Sequence, residues 1–522
     1  MVSILTEKIK IFGGPGCGKT SSLTDFYQRY LLKGYKSTEI TVLTFRKNAA
    51  DDLISATIPY SGLNKNELKK HVGTIHSICY RLIGNPKLTD KLDYANFVER
   101  YNYGNYLKIE NFKTKITDME ESVYSGDLFD LYSWLRNTRT PFNKWKKYPG
   151  VNNIKCINIV PKFLKNYEEY KKQIGKIDYS DMLQTVIDNH ILLDTPILMV
   201  DEFQDFTAQM YKVFEMWVPN CESVLIAADP NQSIYEFFGG CPDHYYHFEA
   251  NEIVKDETFR LPEPIKNFSH KILKYAGMTA PETKARQVAS RTIYRMRYDC
   301  KLPIYKNEFH LVRCNYQAPA IALSLAKEGR IFGGLYGWTK DEVDTANAII
   351  SIRQGKAISF DQMRALINLF SVKMLGIRCS KEDFVSSLEQ KYAFQLYTGI
   401  GVLNCKILDI LSSTDPTKEM SRDSKLFRAK INGIKNQLNL ITSQEVENRK
   451  ILTIHGAKGL EADAVFLHTA ITPRIQKALL IPGKESQAEA RVLYVGATRA
   501  KNVLYLVTDA GKNYTFPGVP SC

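Results

Sequence analysis

The sequence predicts an α/β protein with two cores built on parallel sheets, each core interrupted by a mainly helical insertion. Short apolar segments run directly into polar or glycine-containing loops and then into helix-like segments, which is the order typical of a parallel sheet. The segments are apolar throughout instead of alternating, as expected of strands buried on both faces. They fall into an early and a late group: Ile9–Phe12, Ile40–Phe45, Ile197–Val200 and Ser223–Ala227, then Phe309–Arg313, Ile451–Ile454, Ala464–His468 and Val503–Val507.

Two stretches of the chain do not follow this order. Residues 86–175 are rich in Tyr, Asn and Lys and have a helical pattern, and residues 345–440 have one as well, for instance over Met420–Asn439. We interpret both stretches as insertions. The predicted organisation is a first core over residues 1–85 and 176–265 with a basic insertion over 86–175, and a second core over residues 266–344 and 441–522 with a reduced insertion over 345–440.

Composition and charge narrow the class of protein. With 44% hydrophobic and 24% charged residues over 522 positions, the chain is neither disordered nor collagen-like. Its formal net charge of +14 favours an acidic partner such as nucleic acid, although many basic enzymes bind none. The excess charge lies in two segments, because Arg136–Lys176 has eleven Lys or Arg against two acids and Lys271–Arg313 has ten against three. We expect at least the first segment to contact a phosphate backbone.

Cysteine spacing and hydropathy indicate in which cellular compartment the protein is expected. None of the ten cysteines forms the C-x-x-C spacing of a metal site, and a chain this long needs no disulfides, so reduced thiols are expected. Met1–Phe12 carries three charged residues where a signal peptide requires an apolar stretch. No run reaches the roughly 18 apolar residues of a spanning helix. We therefore expect a cytoplasmic protein with no signal peptide and no membrane span.

A glycine-rich segment at the end of the first strand predicts a phosphate-binding loop. It matches G-x-x-x-x-G-K-[ST], where glycines turn backbone N–H groups toward phosphates at the start of a helix. Lys19 is expected to reach the β- and γ-phosphates, and the Thr20 hydroxyl to bind Mg²⁺. A flexible glycine turn is the alternative. The residues of the loop are Gly13, Gly14, Pro15, Gly16, Cys17, Gly18, Lys19 and Thr20.

Two acidic residues follow a later strand, Ile197–Val200. Asp201 is expected to contribute to the Mg²⁺ shell, and Glu202 to orient and activate the attacking water. Taken alone, two acids after a strand are most often the start of a solvated loop. Combined with the phosphate loop, they favour hydrolysis of a nucleoside triphosphate over simple nucleotide binding.

Eight segments in chain order then resemble the motifs of the UvrD/Rep branch of superfamily 1 helicases. The phosphate loop is accompanied by TFRKNAA at Thr44–Ala50, GTIHS at Gly73–Ser77, DYSDML at Asp178–Leu183, DEFQD at Asp201–Asp205, DPNQSIY at Asp229–Tyr235, TFR at Thr258–Arg260, TIHGAKGLE at Thr453–Glu461 and YVGATRA at Tyr494–Ala500. The resemblance covers both cores, and it implies two RecA-like P-loop NTPase domains, each carrying one insertion.

The resemblance also implies roles at the nucleotide. Gln232 would sense the γ-phosphate, and Arg260 and Arg499 would stabilise charge in the transition state. Phe259 stands where the family stacks a tyrosine on the base, Glu461 would contact the ribose, and Gly459 would lie near the phosphates. The family's adenine-reading glutamine has no counterpart among the twelve residues before Gly13, so loose selectivity among ATP, GTP, CTP and UTP is expected.

For the DNA strand, the resemblance implies aromatic stacking platforms, because every base offers a π-face. Phe237 matches the family's stacking tryptophan, whereas Phe238 replaces an arginine. Buried core packing is the alternative for each aromatic residue. The full set of expected DNA contacts is Thr44, Phe45, Thr74, His76, Tyr235, Phe237, Phe238 and His455.

The implied activity is that of an ATP- and Mg²⁺-dependent DNA helicase or translocase that moves 3′ to 5′ on single-stranded DNA and acts at junctions with duplex. The alternative is a DNA-stimulated ATPase that remodels protein–DNA complexes or serves a partner such as a nuclease, with little unwinding of its own. The reduced second insertion keeps this alternative open, since in the family that part regulates unwinding.

Overall fold

The computed structural model describes residues 7–107, 127–154, 156–287, 293–297, 302–392, 405–413, 415–420 and 424–508. The chain forms two compact units. The first comprises the described residues of Met1–Thr292 together with Lys458–Leu460 and Lys477–Lys501, and the second comprises those of Ile293–Ala457, Glu461–Gln476 and Asn502–Cys522. Each unit is built around one six-stranded sheet.

The sheet of the first unit is parallel in every pairing described, in the order β3-β2-β4-β5-β1-β6. The central strands β2, β4 and β5 are buried along their whole length, which is why they are apolar in sequence. The strands are β1 (Glu7–Gly13), β2 (Ile40–Thr44), β3 (Val72–Thr74), β4 (Ile197–Val200), β5 (Ser223–Ala228) and β6 (Asn251–Lys255). A separate parallel pair consists of β7 (Glu257–Pro262) and β8 (Lys284–Arg286).

The helices that pack in the first unit include the connections between its strands and the whole described first insertion. Up to residue 292 they are α1 (Lys19–Leu32), α2 (Lys47–Ser61), α3 (Lys65–Leu68), α4 (Ile75–Leu82), α5 (Lys91–Arg100), α6 (Asp127–Asn137), α7 (Val160–Ile174), α8 (Tyr179–Asp188), α9 (Ala208–Trp217), α10 (Asp243–His247) and α11 (Glu263–Tyr275).

An aromatic core explains the tyrosine-rich composition of the first insertion. Phe97 on α5, Phe129 on α6 and Phe163 and Tyr167 on α7 are all buried. The ring centroids of Phe97 and Tyr167 are 5.2 Å apart, and those of Phe129 and Phe163 are 5.1 Å apart, both edge to face. Such pairs add stabilisation beyond the buried area. The insertion is therefore a packed helical body.

The sheet of the second unit has the order β11-β12-β10-β13-β14-β9. Its strands are β9 (Ile293–Arg297), β10 (Glu308–Val312), β11 (Gly333–Gly334), β12 (Arg449–Thr453), β13 (Ala462–His468) and β14 (Ala500–Thr508). The remaining helices are α12 (Ala318–Lys327), α13 (Lys340–Arg353), α14 (Phe360–Ile367), α15 (Val372–Leu375), α16 (Lys381–Tyr392), α17 (Cys405–Ser412), α18 (Lys425–Gly433), α19 (Ser443–Asn448), α20 (Pro473–Leu480) and α21 (Lys484–Ala497). Of these, α21 and the second half of α20 belong to the first unit.

Two histidines lie inside the sheet of the second unit. His310 on β10 stacks on Phe466 of β13 with 4.6 Å between the ring centroids, and His468 is 5.9 Å from His310. Both imidazoles are buried. Burial lowers the pKa of both, that of His468 to about 3. Both are therefore neutral packing groups near neutral pH.

The α/β fold class with two parallel-sheet cores is confirmed, and a strand is found at each of the eight predicted segments. The helical pattern over Met420–Asn439 corresponds to a helix shorter than that range. Among the described residues of the range, α18 covers Lys425–Gly433, and Met420 follows a 3₁₀ turn at Pro416–Glu419. In the described part of the chain, no helix is both long enough and apolar enough to cross a lipid bilayer.

Candidate functional site

The phosphate loop connects β1 to α1 in the first unit. Gly16 and Gly18 have φ values of +72° and +75°, a left-handed conformation that glycine adopts without strain. A Cβ atom on Gly16 would overlap the Cβ atom of Arg260. The Lys19 Nζ atom donates to the carbonyls of Gly13 at 2.7 Å and Gly14 at 3.2 Å. The lysine thus folds back over the loop, with its charge where phosphates would bind.

Strand β7 brings the Thr258–Arg260 segment to this loop. The Thr258 hydroxyl donates to the Pro15 carbonyl at 2.7 Å, and the Phe259 N–H donates to the Gly16 carbonyl at 3.0 Å. The Phe259 side chain is 68% exposed and lies beside Gly18. An aromatic face next to a phosphate loop is available for stacking on a base.

Thr20 and Asp201 meet across the unit from positions 181 residues apart in sequence. The Thr20 hydroxyl, in the first turn of α1, donates to Asp201 Oδ2 at 2.7 Å. Asp201 directly follows β4. Burial, followed by the charge of Glu202, raises the pKa of the Asp201 carboxyl to about 6. Hydroxyl and carboxylate oxygens are the donors that Mg²⁺ prefers, so this pair fits a magnesium ion.

Glu202 follows directly in a left-handed conformation, with φ of +54°. Its N–H donates to Asp201 Oδ1 at 3.0 Å, and its carboxylate accepts a hydrogen bond from the Gln204 amide. Burial alone would raise its pKa, but the positive charges of Lys458 and Lys19 outweigh burial and hold the pKa below its ordinary value. An ionised carboxylate at this place can accept a proton from water.

Gln232 lies between an acid and an arginine. Its Nε2 donates to Asp229 Oδ2 at 2.8 Å, and its Oε1 accepts from Arg499 Nη2 at 2.9 Å. Arg499 is only 2% exposed, and its Nε donates to the Val495 carbonyl at 3.1 Å. The structure therefore brings Gln232 and Arg499 together, although they are 267 residues apart in sequence.

Lys458 is a member of this cluster for which the sequence predicted no role. It is 2% exposed, forms an ion pair with Asp205, and donates to the Gln232 carbonyl at 2.6 Å. Its Nζ lies 3.8 Å from Glu202 Oε2 and 5.2 Å from the centre of the Tyr235 ring. The only signal in the sequence is its position within the Thr453–Glu461 motif.

Four of the expected DNA contacts are buried in the first unit. Phe45 and Tyr235 pack with their ring centroids 5.2 Å apart, and Thr44 is fully buried. His76 lies edge-on to Tyr179 at 5.9 Å, and burial lowers its pKa to about 4. A fifth, Thr74, is half-buried and accepts a hydrogen bond from the Ser77 N–H at 3.2 Å, which caps α4. All five remain predictions as DNA contacts.

The other expected DNA contacts, and two residues expected at the nucleotide, differ in exposure. Phe237 is 56% exposed and Phe238 is half-buried, both in the 3₁₀ turn Glu236–Phe238. Gly459, with φ of +81°, belongs to the first unit. His455 and Glu461 are half-buried members of the second unit.

The basic segment Arg136–Lys176 is partly neutralised by acids outside it. Lys171 is buried and pairs with Asp178 at 2.8 Å and Asp181 at 2.6 Å, and Arg136 pairs with Asp181 at 2.8 Å. Other basic side chains of the segment are exposed: Arg139, Lys144, Lys146, Lys147, Lys162, Lys165 and Lys172. Part of the second basic segment, residues 288–292 and 298–301, lies outside the described residues, as does residue 155 in the first.

Comparisons with family models and with individual known proteins agree with one another. Residues 1–252 match the family described as UvrD/REP helicase N-terminal domain, and residues 406–510 match the UvrD-like helicase C-terminal domain. A probable DNA helicase II homolog of Rickettsia conorii is 23% identical, with 95% of this chain and 89% of the relative covered. A probable DNA helicase of Mycoplasma pneumoniae is 23% identical over 98% of this chain and 82% of its own length. The ATP-dependent DNA helicase PcrA of Staphylococcus aureus is 20% identical over 95% and 80%.

The two family matches together cover more than half of the chain, and they include the phosphate loop, both acids, Gln232 and Arg499. They agree with the parallel sheet of each unit and with the clustering of the motif residues in the first. The chain belongs to the UvrD/Rep family of superfamily 1 helicases, which are ATP-dependent DNA helicases.

Proposed function

We propose that this protein hydrolyses ATP to move 3′ to 5′ along single-stranded DNA and to unwind duplex ahead of it. The observation that carries the proposal is the cluster in the first unit, where loops of the parallel sheet hold Lys19, the Thr20–Asp201 pair, Glu202 and Gln232, and where Gln232 accepts a hydrogen bond from Arg499, which follows α21. The DNA substrate is supported by the relatives, which are named DNA helicases.

In this proposal the chemical step is hydrolysis of the terminal phosphate of ATP. Lys19 and Gln232 bind the γ-phosphate, and Glu202, which its lowered pKa keeps ionised near neutral pH, orients the attacking water and accepts a proton from it. Arg260 and Arg499 stabilise the charge that develops on the transferred group. The loop Gly13–Thr20 binds the phosphates, Phe259 stacks on the base, Gly459 lies near the phosphates and Glu461 contacts the ribose.

Thr20 and Asp201 are the residues that would hold Mg²⁺. Their oxygens lie 2.7 Å apart, and the pKa of Asp201 is raised by burial and then by the charge of Glu202, both of which a bound cation would offset. When bound, the ion supplies charge stabilisation to the β- and γ-phosphate oxygens.

The strand itself is proposed to bind beside the same cluster. The ring of Phe237, which is 56% exposed, is the best supported stacking platform, because the other aromatic candidates are buried or half-buried. Tyr235 directly precedes that turn, and the Lys458 Nζ atom lies 5.2 Å from the centre of its ring. The proposed strand contact is thus close in the chain to a residue that packs against the catalytic cluster. The remaining proposed contacts are Thr44, Phe45, Thr74, His76, Phe238 and His455.

We propose a domain layout in which the two RecA-like domains occupy residues 1–85 with 176–265 and residues 266–344 with 441–522. The insertions occupy 86–175 and 345–440. The aromatic core of α5, α6 and α7 supports treating the first insertion as a body of its own.

A second candidate is a DNA-stimulated ATPase that displaces bound proteins or serves a partner nuclease and unwinds little. It is favoured by one observation, namely that the alignments with the Rickettsia and Staphylococcus relatives extend over 608 and 619 residues, more than the 522 of this chain. Those relatives thus carry insertions that this chain lacks.

Strand displacement on duplexes with a 3′ or a 5′ single-stranded tail distinguishes these proposals, with ATP hydrolysis measured on the same samples. The primary proposal predicts displacement of the 3′-tailed substrate only. Displacement that requires a 5′ tail would reverse the polarity. DNA-stimulated hydrolysis without displacement of either substrate would favour the second candidate.

A further inference from the structure

The turn that carries Phe237 is held by hydrogen bonds within its own backbone and by an ion pair to a neighbouring helix. The N–H groups of Phe238 and Gly240 both donate to the Tyr235 carbonyl, at 2.9 and 3.0 Å. The Glu236 carboxylate pairs with Arg491 on α21, the helix that precedes Arg499. The turn is therefore tied to the helix leading to the nucleotide cluster.

The same turn is held on another side by the helical insertion. Asn137, the last residue of α6, is 3% exposed and donates its Nδ2–H to the Phe238 carbonyl at 2.9 Å. The next residue of the turn, Gly239, has φ of +103° and packs so closely that an added Cβ would lie 3.0 Å from the Asn137 Cβ. The end of α6 thus supports the backbone immediately after Phe237.

The end of α6 is itself fixed to the core. Arg136 pairs with Asp181 on α8 at 2.8 Å, and Lys171 on α7 pairs with Asp181 at 2.6 Å. Lys171 also donates to the Tyr132 hydroxyl on α6 at 2.6 Å. Because Arg136 and Asn137 are adjacent, this buried polar junction fixes the position from which the Asn137 amide reaches the turn.

We propose that Asn137 is a positioning residue that sets the place of the Phe237 ring, so that the helical insertion is a working part of the strand-binding site. The inference rests on the proposed function, in which Phe237 stacks on a base. Asn137 itself touches neither strand nor nucleotide in this proposal. Its loss should therefore weaken strand binding while leaving hydrolysis at saturating DNA intact.

The test measures ATP hydrolysis as a function of single-stranded DNA concentration for four variants of the full chain. Asn137→Leu is near-isosteric but cannot donate, and Asn137→Ser is too short to reach the carbonyl; each should raise the half-saturating DNA concentration by about three- to tenfold. Phe237→Ala should raise it by roughly 5- to 150-fold, the range for loss of one stacked base. The maximal rate should change by less than about twofold in the Asn137 variants.

The matched control is Asn166→Leu in the same insertion. Asn166 is 8% exposed, and its amide donates to the Tyr103 hydroxyl at 3.0 Å, a hydrogen bond within the insertion. It should lower the unfolding temperature much as Asn137→Leu does, without shifting the DNA half-saturation. An equal shift in both would overturn the inference, because general loosening of the insertion would then be the cause.

The remaining outcomes separate the inference from the function beneath it. If Phe237→Ala shifts the half-saturation and neither Asn137 variant does, the positioning role is wrong and the strand site stands. If Phe237→Ala has no effect, the proposed strand contact at Phe237 is wrong and the inference falls with it. Two variants of Asn137 are used so that a folding failure of one leaves the other to decide.

Discussion

Removing the ammonium group of Lys458 tests how the catalytic cluster is held together. In a Lys458→Met variant, Asp205 loses its ion-pair partner and the Gln232 carbonyl loses a donor at 2.6 Å. Both partners of the pair are buried, with side-chain exposures of 2% for Lys458 and 0% for Asp205. Methionine is unbranched and matches lysine as far as Cε, so the change is chiefly the loss of the charged nitrogen.

The structure sets the size of the expected effect. Breaking one side of a buried ion pair typically costs about 3–5 kcal/mol, because the remaining charge is left without a partner. Asp205 already has a pKa raised to about 7 by burial, even beside Lys458, so it is expected to take up a proton in the variant. Protonation limits the loss, and we expect a decrease of about 3 kcal/mol in the free energy of unfolding near neutral pH.

Denaturant unfolding and DNA-stimulated ATP hydrolysis test this prediction. Lys430→Met in the second unit is the matched control, since Lys430 is also 2% exposed and pairs with Glu342 at 2.7 Å. Both variants should lose comparable stability. Only Lys458→Met should lose hydrolysis, by about 10- to 100-fold, because only Lys458 lies 3.8 Å from Glu202 and bonds to the backbone of Gln232.

A double substitution decides whether the pair itself is responsible. Asp205→Asn combined with Lys458→Met removes both charges, and it should recover most of the stability lost in Lys458→Met alone. Additive losses in the double variant would refute the reasoning for stability. Equal loss of hydrolysis in the Lys430 and Lys458 variants would refute it for the site.

Three further predictions concern separate features. Gly16→Ala places a side chain at φ of +72° against Arg260, so the apparent affinity for ATP should fall at least about tenfold in nucleotide-binding titrations; unchanged affinity would show that the loop is not held as described. The folded-state pKa of His468, about 3, lies below its unfolded value near 6.5, so stability should decline as pH falls from about 6.5 toward 3, by up to about 1.4 kcal/mol per pH unit, and His468→Leu should reduce that slope in denaturant unfolding. Neutralising five exposed lysines of the first insertion should reduce the salt dependence of DNA binding, by up to about 0.9 in log–log slope for each phosphate that is no longer neutralised, whereas an unchanged slope would exclude this surface from the DNA site. The five changes are Lys144→Gln, Lys146→Gln, Lys147→Gln, Lys162→Gln and Lys172→Gln.

The parts of the fold that could be predicted are those with a strong local signal. The central strands β2, β4 and β5 are uninterrupted apolar runs because both of their faces are covered. Strands at the edges of the sheet are not predicted, because they lack such an uninterrupted apolar run. Strand β6 is mostly exposed and polar in sequence, and β3 is only three residues long with a glycine at its centre.

The helix boundaries in the second insertion show another limit. The sequence indicates a helical pattern over Met420–Asn439 without fixing where a helix begins or ends. In the structure α18 begins after Ser424, whose side chain accepts the hydrogen bond that caps the helix, and it ends at Gly433. A helical pattern does not locate such caps, which depend on single residues at the helix ends.

Within the site, chemistry local in the chain was predictable and distant pairings were not. The loop around Lys19 and the acids after β4 follow from sequence patterns whose chemistry is local. The Gln232–Arg499 hydrogen bond joins residues 267 positions apart, and only the family resemblance pointed to both. The Lys458–Asp205 pair spans 253 positions, and no local pattern distinguishes this lysine from an exposed one.

The central claim is that the cluster around Glu202 hydrolyses ATP under the control of a bound strand. The most direct test compares the chain with its Glu202→Gln variant in nucleotide binding, single-stranded DNA binding and DNA-stimulated ATP hydrolysis. We predict that the variant binds ATP and DNA with affinities close to those of the parent, while hydrolysis falls at least about 100-fold, because an amide cannot accept the proton from water. DNA-stimulated hydrolysis retained in Glu202→Gln would contradict the account.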